Sequence, residues 1–413
     1  MQFDYFYIFS SFVIILISVV YLLAYQKHKL EQHDEDDILP GMSIIVPMWN
    51  EAKTILATLD SLIKMRNEYN GDMEIIVVDD NSTDNSYKLV KDYAKDHDFI
   101  RLYMKEGLQG KSESLNQGIK LSKFELVGCV DADSYPTADS LTHIAKDFKD
   151  PEVGAVTSKL IVKKPNKIVE WFQQIEYINS NFILMAFDSM DAVYITRGPL
   201  SIYRKDVLEK IGGFLPAHKT PTEDMEITFR IRKLGYKIKG SKHAKVYTSV
   251  MPTWKDLFWQ RMRWNRGTLI NFWMHKDMFL NKKFGLFSTF ILPSAWLLIS
   301  MVGFTIMYAG YQIFKFISSQ IIGLYSIIVS GQFPDIAHIT TNFSDAFMNA
   351  PYQIFLFLAI LILYFLVNSF GLFESMEKLK LKYILFLLVT PLIYNPVLIF
   401  FWLSAIILQT TKY

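Results

Sequence analysis

The chain has 413 residues, 51% of them hydrophobic, and 43 Lys and Arg stand against 41 Asp and Glu. A formal net charge of +2 argues against a global electrostatic grip on nucleic acid, and a single cysteine, Cys129, excludes an intramolecular disulfide framework or a multi-cysteine zinc cluster. Mean hydropathy is +0.18 although 20% of the residues are charged, so the apolar residues must be segregated along the chain.

They are. Tyr5 to Ala24 is a run of twenty residues without Asp, Glu, Lys, Arg or His. At about 1.5 Å per residue a helix of that length spans the roughly 30 Å hydrocarbon core of a bilayer. Met1-Gln2-Phe3-Asp4 is not a basic leader and Tyr21-Leu22-Leu23-Ala24-Tyr25 is a poor cleavage site, so the run reads as an uncleaved anchor, not a signal peptide. Lys27 and Lys29 follow it, which puts the next segment in the cytoplasm.

From Glu31 to Gly285 the composition is globular. Ser43–Pro47, Glu74–Val78, Phe99–Met104 and Phe124–Val130 read as strands; Asn50–Arg66, the stretch after Asp84 and Ser112–Leu121 read as helices. That alternation predicts an α/β domain with a mostly parallel, Rossmann-like sheet covered by helices on both faces. Ligands bind such sheets outside the carboxyl ends of the strands. Asn50-Glu51, Asp79-Asp80 and Asp131-Ala132-Asp133 each follow a strand on that side, so three sequence-distant clusters are predicted to converge on one crevice. Each alone has a plainer reading as a helix cap or turn.

Asp131 and Asp133 are spaced to reach one hard divalent cation, with a ligand's diphosphate filling further positions. Gly107-Leu108-Gln109-Gly110-Lys111-Ser112 is too short for a Walker loop, which leaves Lys111 either meeting a phosphate or standing as a solvated surface lysine. Thr222-Glu223-Asp224 opens a helical stretch, Met225–Leu234, where Thr222 also suits an N-cap. Pro252–Phe272 holds Trp254, Trp259 and Trp264, with Trp273 next after it, a density that fits a helix lying at a membrane interface. Within it, Gln260-Arg261-Met262-Arg263-Trp264 offers an arginine for a diphosphate and an indole for a sugar ring.

From Leu286 to Phe373 the only Asp, Glu, Lys or Arg residues are Lys315, Asp335 and Asp345. Leu286–Tyr308, Tyr352–Phe373 and Tyr383–Leu408 read as spans, the last kinked by Pro391 and Pro396. Tyr311–Ser330 is ambiguous. Lys378, Lys380 and Lys382 in one loop and no Lys or Arg in Gly331–Ala350 agree with a cytoplasmic and an outer loop only if it does not cross.

The motifs Pro47-Met48-Trp49-Asn50-Glu51, Val78-Asp79-Asp80-Asn81-Ser82-Thr83-Asp84, Asp131-Ala132-Asp133, Thr222-Glu223-Asp224 and Gln260-x-x-Arg263-Trp264, in this order between apolar spans, resemble those of the processive family 2 membrane glycosyltransferases. That family includes cellulose, chitin, hyaluronan and poly-N-acetylglucosamine synthases. Gly198-Pro199-Leu200-Ser201-Ile202-Tyr203-Arg204 resembles its acceptor-side segment.

The resemblance implies a GT-A nucleotide-sugar domain over 27–250, set between an anchor (1–26), interface helices (251–285) and a C-terminal bundle (286–413) of a multi-pass plasma-membrane protein. By that likeness Pro47, Glu51 and Asp80, with Asp79 as a neighbour, surround the nucleoside. Asp131, Gln260, Arg263 and, by the alternative above, Lys111 meet the diphosphate. By the same likeness Asp131 and Asp133 hold the metal, Mg²⁺ or Mn²⁺, and Asp224 is the general base. Glu223, Trp264, Gly198 and Pro199 line the acceptor. The implied activity is inverting, processive synthesis of a β-linked polysaccharide from a UDP-sugar, with UDP-N-acetylglucosamine favoured and an alternating UDP-glucuronate donor open. Transfer of one sugar to a membrane lipid is the alternative. A transporter whose soluble block merely binds nucleotide fits less well, because no inverted repeat is evident.

Overall fold

The computed structural model describes residues 2–29, 39–107, 110–330, 351–375 and 381–410, which fall into two compact units. The larger, Tyr21–Ile291 with Asn368–Tyr413, is built on one eight-stranded sheet. Its first half is the expected alternation. Strands β1 (Met42–Met48), β2 (Met73–Asp79), β3 (Ile100–Met104) and β4 (Leu126–Cys129) run parallel. Helices α2 (Ile55–Glu68), α3 (Ser86–Tyr93) and α4 (Lys111–Leu121) connect them. Every residue of β2 is buried, and of β1 all but Pro47, as a sheet covered on both faces requires.

The second half is mixed. β5 (Ser134–Pro136), β6 (Val153–Val162), β7 (Ser201–Arg204) and β8 (Lys237–Thr248) complete the order β3-β2-β1-β4-β7-β6-β8-β5. β7 runs antiparallel to both β4 and β6, whereas β6 and β8 are parallel. The reversal has a direct consequence for the site. Cys129 at the end of β4 pairs with Ser201 at the start of β7. The acids that follow β4 and the glycine–proline pair that precedes β7 therefore leave the sheet at the same edge. Helices α5 (Ser140–Asp147), α6 (Ile168–Ser189), α7 (Lys205–Ile211), α8 (Glu223–Lys233) and α9 (Trp254–Met274) pack around this half.

The smaller unit, Met1–Val20 with Leu292–Val367, takes most of three long apolar helices: α1 (Gln2–Lys29), α10 (Leu292–Ser330) and α11 (Pro351–Ser375). Stretches long and apolar enough to cross a membrane run over Ile8–Lys27, Phe287–Phe304 and Phe355–Phe373. A fourth is reached if the bent pair α12 (Leu381–Val389) and α13 (Tyr394–Thr410) counts as one span. That pair bends by 51° at the break containing Pro391, as the sequence suggested; Pro396 instead sits inside the first turn of α13, where a missing amide hydrogen costs nothing. Tyr311–Ser330 is no separate segment, because it continues α10 without interruption. The residues 331–350 and 376–380, on which the loop-charge reading rested, lie outside the described residues.

Within the larger unit α13 is tied to α6 and α9. Phe172 stacks on Tyr394 with ring centroids 5.2 Å apart, and Val169, Leu257 and Phe401 close the same apolar cluster.

Candidate active site

A cavity of about 630 Å³ opens at the carboxyl ends of β1, β2 and β4. Pro47, Glu51, Asp80, Lys111, Asp131 and Asp133 line it, so one member or more of each of the three strand-end clusters meets the others in one crevice. Trp49 and Ser114 line it too, and neither was given a role from sequence. Trp49 is exposed although large and aromatic, which is the signal that would have singled it out.

The walls are held by turn chemistry. Asn50 and Asn81 both take left-handed backbone conformations, with φ of 56° and 61°. The Asn50 side-chain oxygen accepts from the backbone N–H of Thr83 (2.8 Å) and Asp84 (3.2 Å), and Ser86 accepts from Glu51 N–H at 2.7 Å. Asp79 belongs to this lacing. Both its carboxylate oxygens are taken by Ser82, from the backbone N–H at 3.1 Å and the hydroxyl at 2.6 Å, and it is fully buried. Asp79, expected beside the nucleotide, has its carboxylate bonded within the loop and is not among the residues that line this cavity. Asp80 does line it, while pairing with Lys105 (2.7 Å) and accepting from Gly110 N–H (2.7 Å). Lys105 went unnoticed because it lies at the end of a strand with no motif around it.

Lys111 is no solvated surface lysine. Its ammonium stands 2.6 Å from Asp131 and 3.2 Å from Glu223, and so links the strand-end acids to the start of α8. Burial opposes its charge, but Asp131 and Glu223 outweigh that and raise its pKa. Gly198 meets the same pair: a Cβ there would lie 3.0 Å from both Asp131 Oδ2 and Lys111 Nζ, a tight contact to which these groups would have to give way. Pro199 follows it, partly exposed.

The acids differ in their surroundings. Asp133 is pushed up to about 6 by burial and then by the charges of Asp131 and Glu51. Asp224 is also pushed up to about 6, by burial and by Glu223. Burial pushes Glu223 up as well, yet Lys111, the helix start and Arg263 outweigh it and hold Glu223 below the usual carboxylate range. Adjacent residues on one helix are thus driven apart, the pattern by which sites separate a permanent anion from a proton acceptor.

Helix α9 approaches α8 along a single stripe. Gln260, Arg263, Trp264, Gly267 and Asn271 recur at helical spacing on one face. A side chain at Gly267 would collide with Thr222, so α9 packs directly on the residue before Glu223. Asn271 donates to Thr222 O (3.2 Å) and Oγ1 (2.9 Å) and accepts from Thr220 Oγ1 (3.0 Å). Thr222 occupies the N-cap position of α8 but its side chain makes no capping bond; the hydroxyl serves Asn271 instead. Arg263 is exposed, donates to Pro221 O at 3.1 Å, and stands close enough to lower both Glu223 and Asp224. Gln260 accepts from Arg261. Arg261, an unassigned letter of the motif, is buried; it pairs with Glu176 at 2.6 Å, and its guanidinium lies 4.1 Å from the Trp264 ring centre. Glu176 also accepts from Tyr394 Oη at 2.6 Å, which fixes α6, α9 and α13 through one carboxylate.

As a metal centre the protein supplies few ligands. Among the described residues no three His, Cys, Asp or Glu form a cage. Asp131 and Asp133 face one cavity, and Asp133 is raised by burial and then by the neighbouring charges of Asp131 and Glu51, a strain on its anion that a cation would relieve. Two carboxylates with room for phosphate oxygens fit Mg²⁺ or a similar hard ion.

The family model described as glycosyl transferase family 2 matches residues 43–212. Those residues form a family 2 glycosyltransferase domain. The motif-bearing strands β1 to β4 and the Gly198–Arg204 segment lie inside that match, whereas α8 and α9 lie beyond it. The chain is 30% identical over 275 residues to a poly-beta-1,6-N-acetyl-D-glucosamine synthase of Staphylococcus epidermidis, covering 64% of this chain and 65% of that protein. It is 30% identical over 233 residues to the synthase of that name from Staphylococcus aureus, covering 56% and 55%. These alignments thus span less than two thirds of the relatives' own length. Among solved structures, a mannosyltransferase from Pyrobaculum calidifontis in complex with GDP-Man and Mn2+ superposes with a TM-score of 0.56 at 22% identity, covering 88% of this chain and 99% of that one. The likeness establishes the fold, a GT-A sheet with apolar helices on either side of it in sequence.

Proposed function

We propose that this chain is an inverting, processive glycosyltransferase that builds a β-linked polysaccharide from a UDP-sugar and passes it through its own apolar helices. The observation that carries the reading is the Asp131–Lys111–Glu223 link, which joins the strand-end cavity to the first turn of α8, where Asp224 lies. The poly-N-acetylglucosamine synthases it resembles favour UDP-N-acetylglucosamine as the donor. An alternating UDP-glucuronate donor belongs to the same reading.

The nucleoside sits against Pro47, Trp49, Glu51 and Asp80. Its diphosphate is held between Asp131 and Asp133 with their divalent ion and the cations Lys111 and Arg263, with Gln260 beside them. When bound, the ion supplies Lewis-acid neutralisation of the departing diphosphate. Asp224 takes the proton from the acceptor hydroxyl as its oxygen bonds the anomeric carbon; the bond to the diphosphate breaks on the opposite face, and configuration inverts. A carboxylate near 6 is well matched to that task at neutral pH, because it is ionised yet still basic. Glu223, held ionised, fixes Lys111 and keeps Asp224 from drawing on that ammonium alone. Gly198 and Pro199 give the acceptor a close backbone approach, and Trp264 offers it an aromatic face.

The layout 1–26 anchor, 27–250 catalytic domain, 251–285 interface helices and 286–413 bundle follows, with the catalytic domain on the cytoplasmic side of the plasma membrane. Exposed Trp254, Trp259 and Trp273 on α9 support an interface position. Transfer of a single sugar to a lipid carrier is the competing reading. Full-length protein in detergent, given each radiolabelled UDP-sugar singly and in pairs, separates them: a ladder or smear on a gel supports polymerisation, and one lipid-linked spot overturns it.

A further inference from the structure

A second cavity, of about 180 Å³, lies between α6 and the strand-free segment that leads to Gly198. It is smaller than the roughly 300–1,000 Å³ typical of drug-sized pockets, which suits one sugar residue or part of one. Arg197 lines it and is 93% buried, judged from its 7% exposure. Its guanidinium donates to Asn181 Oδ1 (2.7 Å), Ser180 O (2.6 Å) and Ser180 Oγ (2.7 Å). Among the described residues it has no carboxylate partner. Glu176, the acid in the same lining, is committed to Arg261 and Tyr394. Burial pushes Arg197 down to about 10, so it stays cationic at neutral pH. Asn179 contributes a second unsettled group: its Oδ1 is buried with no hydrogen-bond partner.

A buried cation without a counter-charge is costly, and proteins keep one where an anion arrives. The cavity adjoins the reaction centre along the chain. Thr196 Oγ1 donates to Asp224 O at 2.9 Å, and Gly198 abuts Asp131 and Lys111. From this geometry we propose that the cavity seats an oxyanion, a carboxylate or phosphate carried by the acceptor sugar, with Arg197 as its counter-charge. The proposal rests on the acceptor reading given above and names the acceptor's chemical class: an acidic saccharide.

The test uses the full chain in detergent and three acceptors: a neutral β-linked N-acetylglucosamine trisaccharide, the same trisaccharide bearing a 6-phosphate, and one with glucuronate as its second sugar. Transfer from radiolabelled UDP-N-acetylglucosamine is expected to favour either anionic acceptor at least fivefold. Arg197→Gln is expected to erase that preference while changing use of the neutral acceptor less than twofold, and Arg197→Lys to keep part of it. Asn179→Asp, which puts a like charge in the lining, is expected to lower only the anionic acceptors and serves should Arg197→Gln not fold. No preference in the wild type, or an equal loss on all three acceptors, overturns the proposal. If no transfer occurs from this donor, the polymerase reading fails separately. Thermal unfolding then decides: glucuronate and N-acetylglucosamine 6-phosphate must raise the wild-type Tm more than N-acetylglucosamine does, and the excess must vanish in Arg197→Gln. Equal shifts overturn it.

Discussion

The strand-end half of this site, proposed to take the donor, and the helix half, proposed to take the acceptor, are built differently. The donor half is a row of loops at the carboxyl ends of neighbouring parallel strands, so each acid sits within a few residues of the strand that carries it. The acceptor half depends on two helices meeting. Gly267 and Asn271 of α9 bring that helix against Thr222, the residue before Glu223 and Asp224. Sheet order dictates the first half, and a close approach dictates the second. The turns that build the donor half should therefore tolerate single changes at residues that do not line the cavity, whereas the acceptor half should fail when one small side chain is added at Gly267.

Asp224→Asn breaks the acceptor half most completely. Loss of a positioned base costs about 10²–10⁴-fold, so polymer from radiolabelled UDP-sugar should fall by that factor while calorimetric UDP-sugar affinity stays within twofold. Wild-type elongation by the purified variant removes Asp224 from the base role. Next comes Gly267→Val, whose side chain must displace Thr222. Overpacking of this kind costs about 1–3 kcal/mol. It should lower the Tm and cut transfer far more than it weakens UDP binding; an unchanged rate would mean that the α8–α9 contact does not aim Asp224.

The pH profile gives a smaller effect. Asp224 must be ionised to accept a proton and its pKa is raised to about 6, so the rate should hold above pH 7 and fall about tenfold per unit below pH 6. A limb near pH 4, the ordinary carboxylate range, would show that burial and Glu223 do not act on the base as described. Asp79→Asn tests the donor half and should do least to activity. It weakens the bonds from Ser82 and should cost about 1–3 kcal/mol of stability, with UDP affinity changed less than threefold. A large affinity loss at constant Tm would return Asp79 to the nucleotide.

The same contrast explains what could be read from the sequence. Periodicity located β1 to β4 and their helices, and the strand-end rule then delivered Glu51, Asp80, Asp131 and Asp133 without any long-range contact being known. It could not separate Asp79 from Asp80, because adjacent acids after a strand point to different places and only the bonds of Ser82 tell which one builds the turn. The antiparallel entry of β7 had no local signature, so the meeting of Gly198 with Asp131 could not be read from the sequence; the family likeness gave only an acceptor-side place for Gly198. Gly267 and Asn271 were legible in principle. They continue the stripe begun by Gln260 and Trp264, and following the helical period two more turns would have found them. Arg261 was hidden for the opposite reason, since its partner Glu176 lies 85 residues away.

The central claim is that both halves grip one diphosphate, and UDP binding tests it without any turnover. Calorimetry with UDP and MnCl₂ on wild type, Asp133→Asn, Arg263→Met and the double variant should show each single change weakening UDP about tenfold, and the double change costing less than the product of the two. If Arg263→Met binds UDP as tightly as the wild type, or the two losses simply multiply, Arg263 and Asp133 do not share a ligand and the convergence is contradicted.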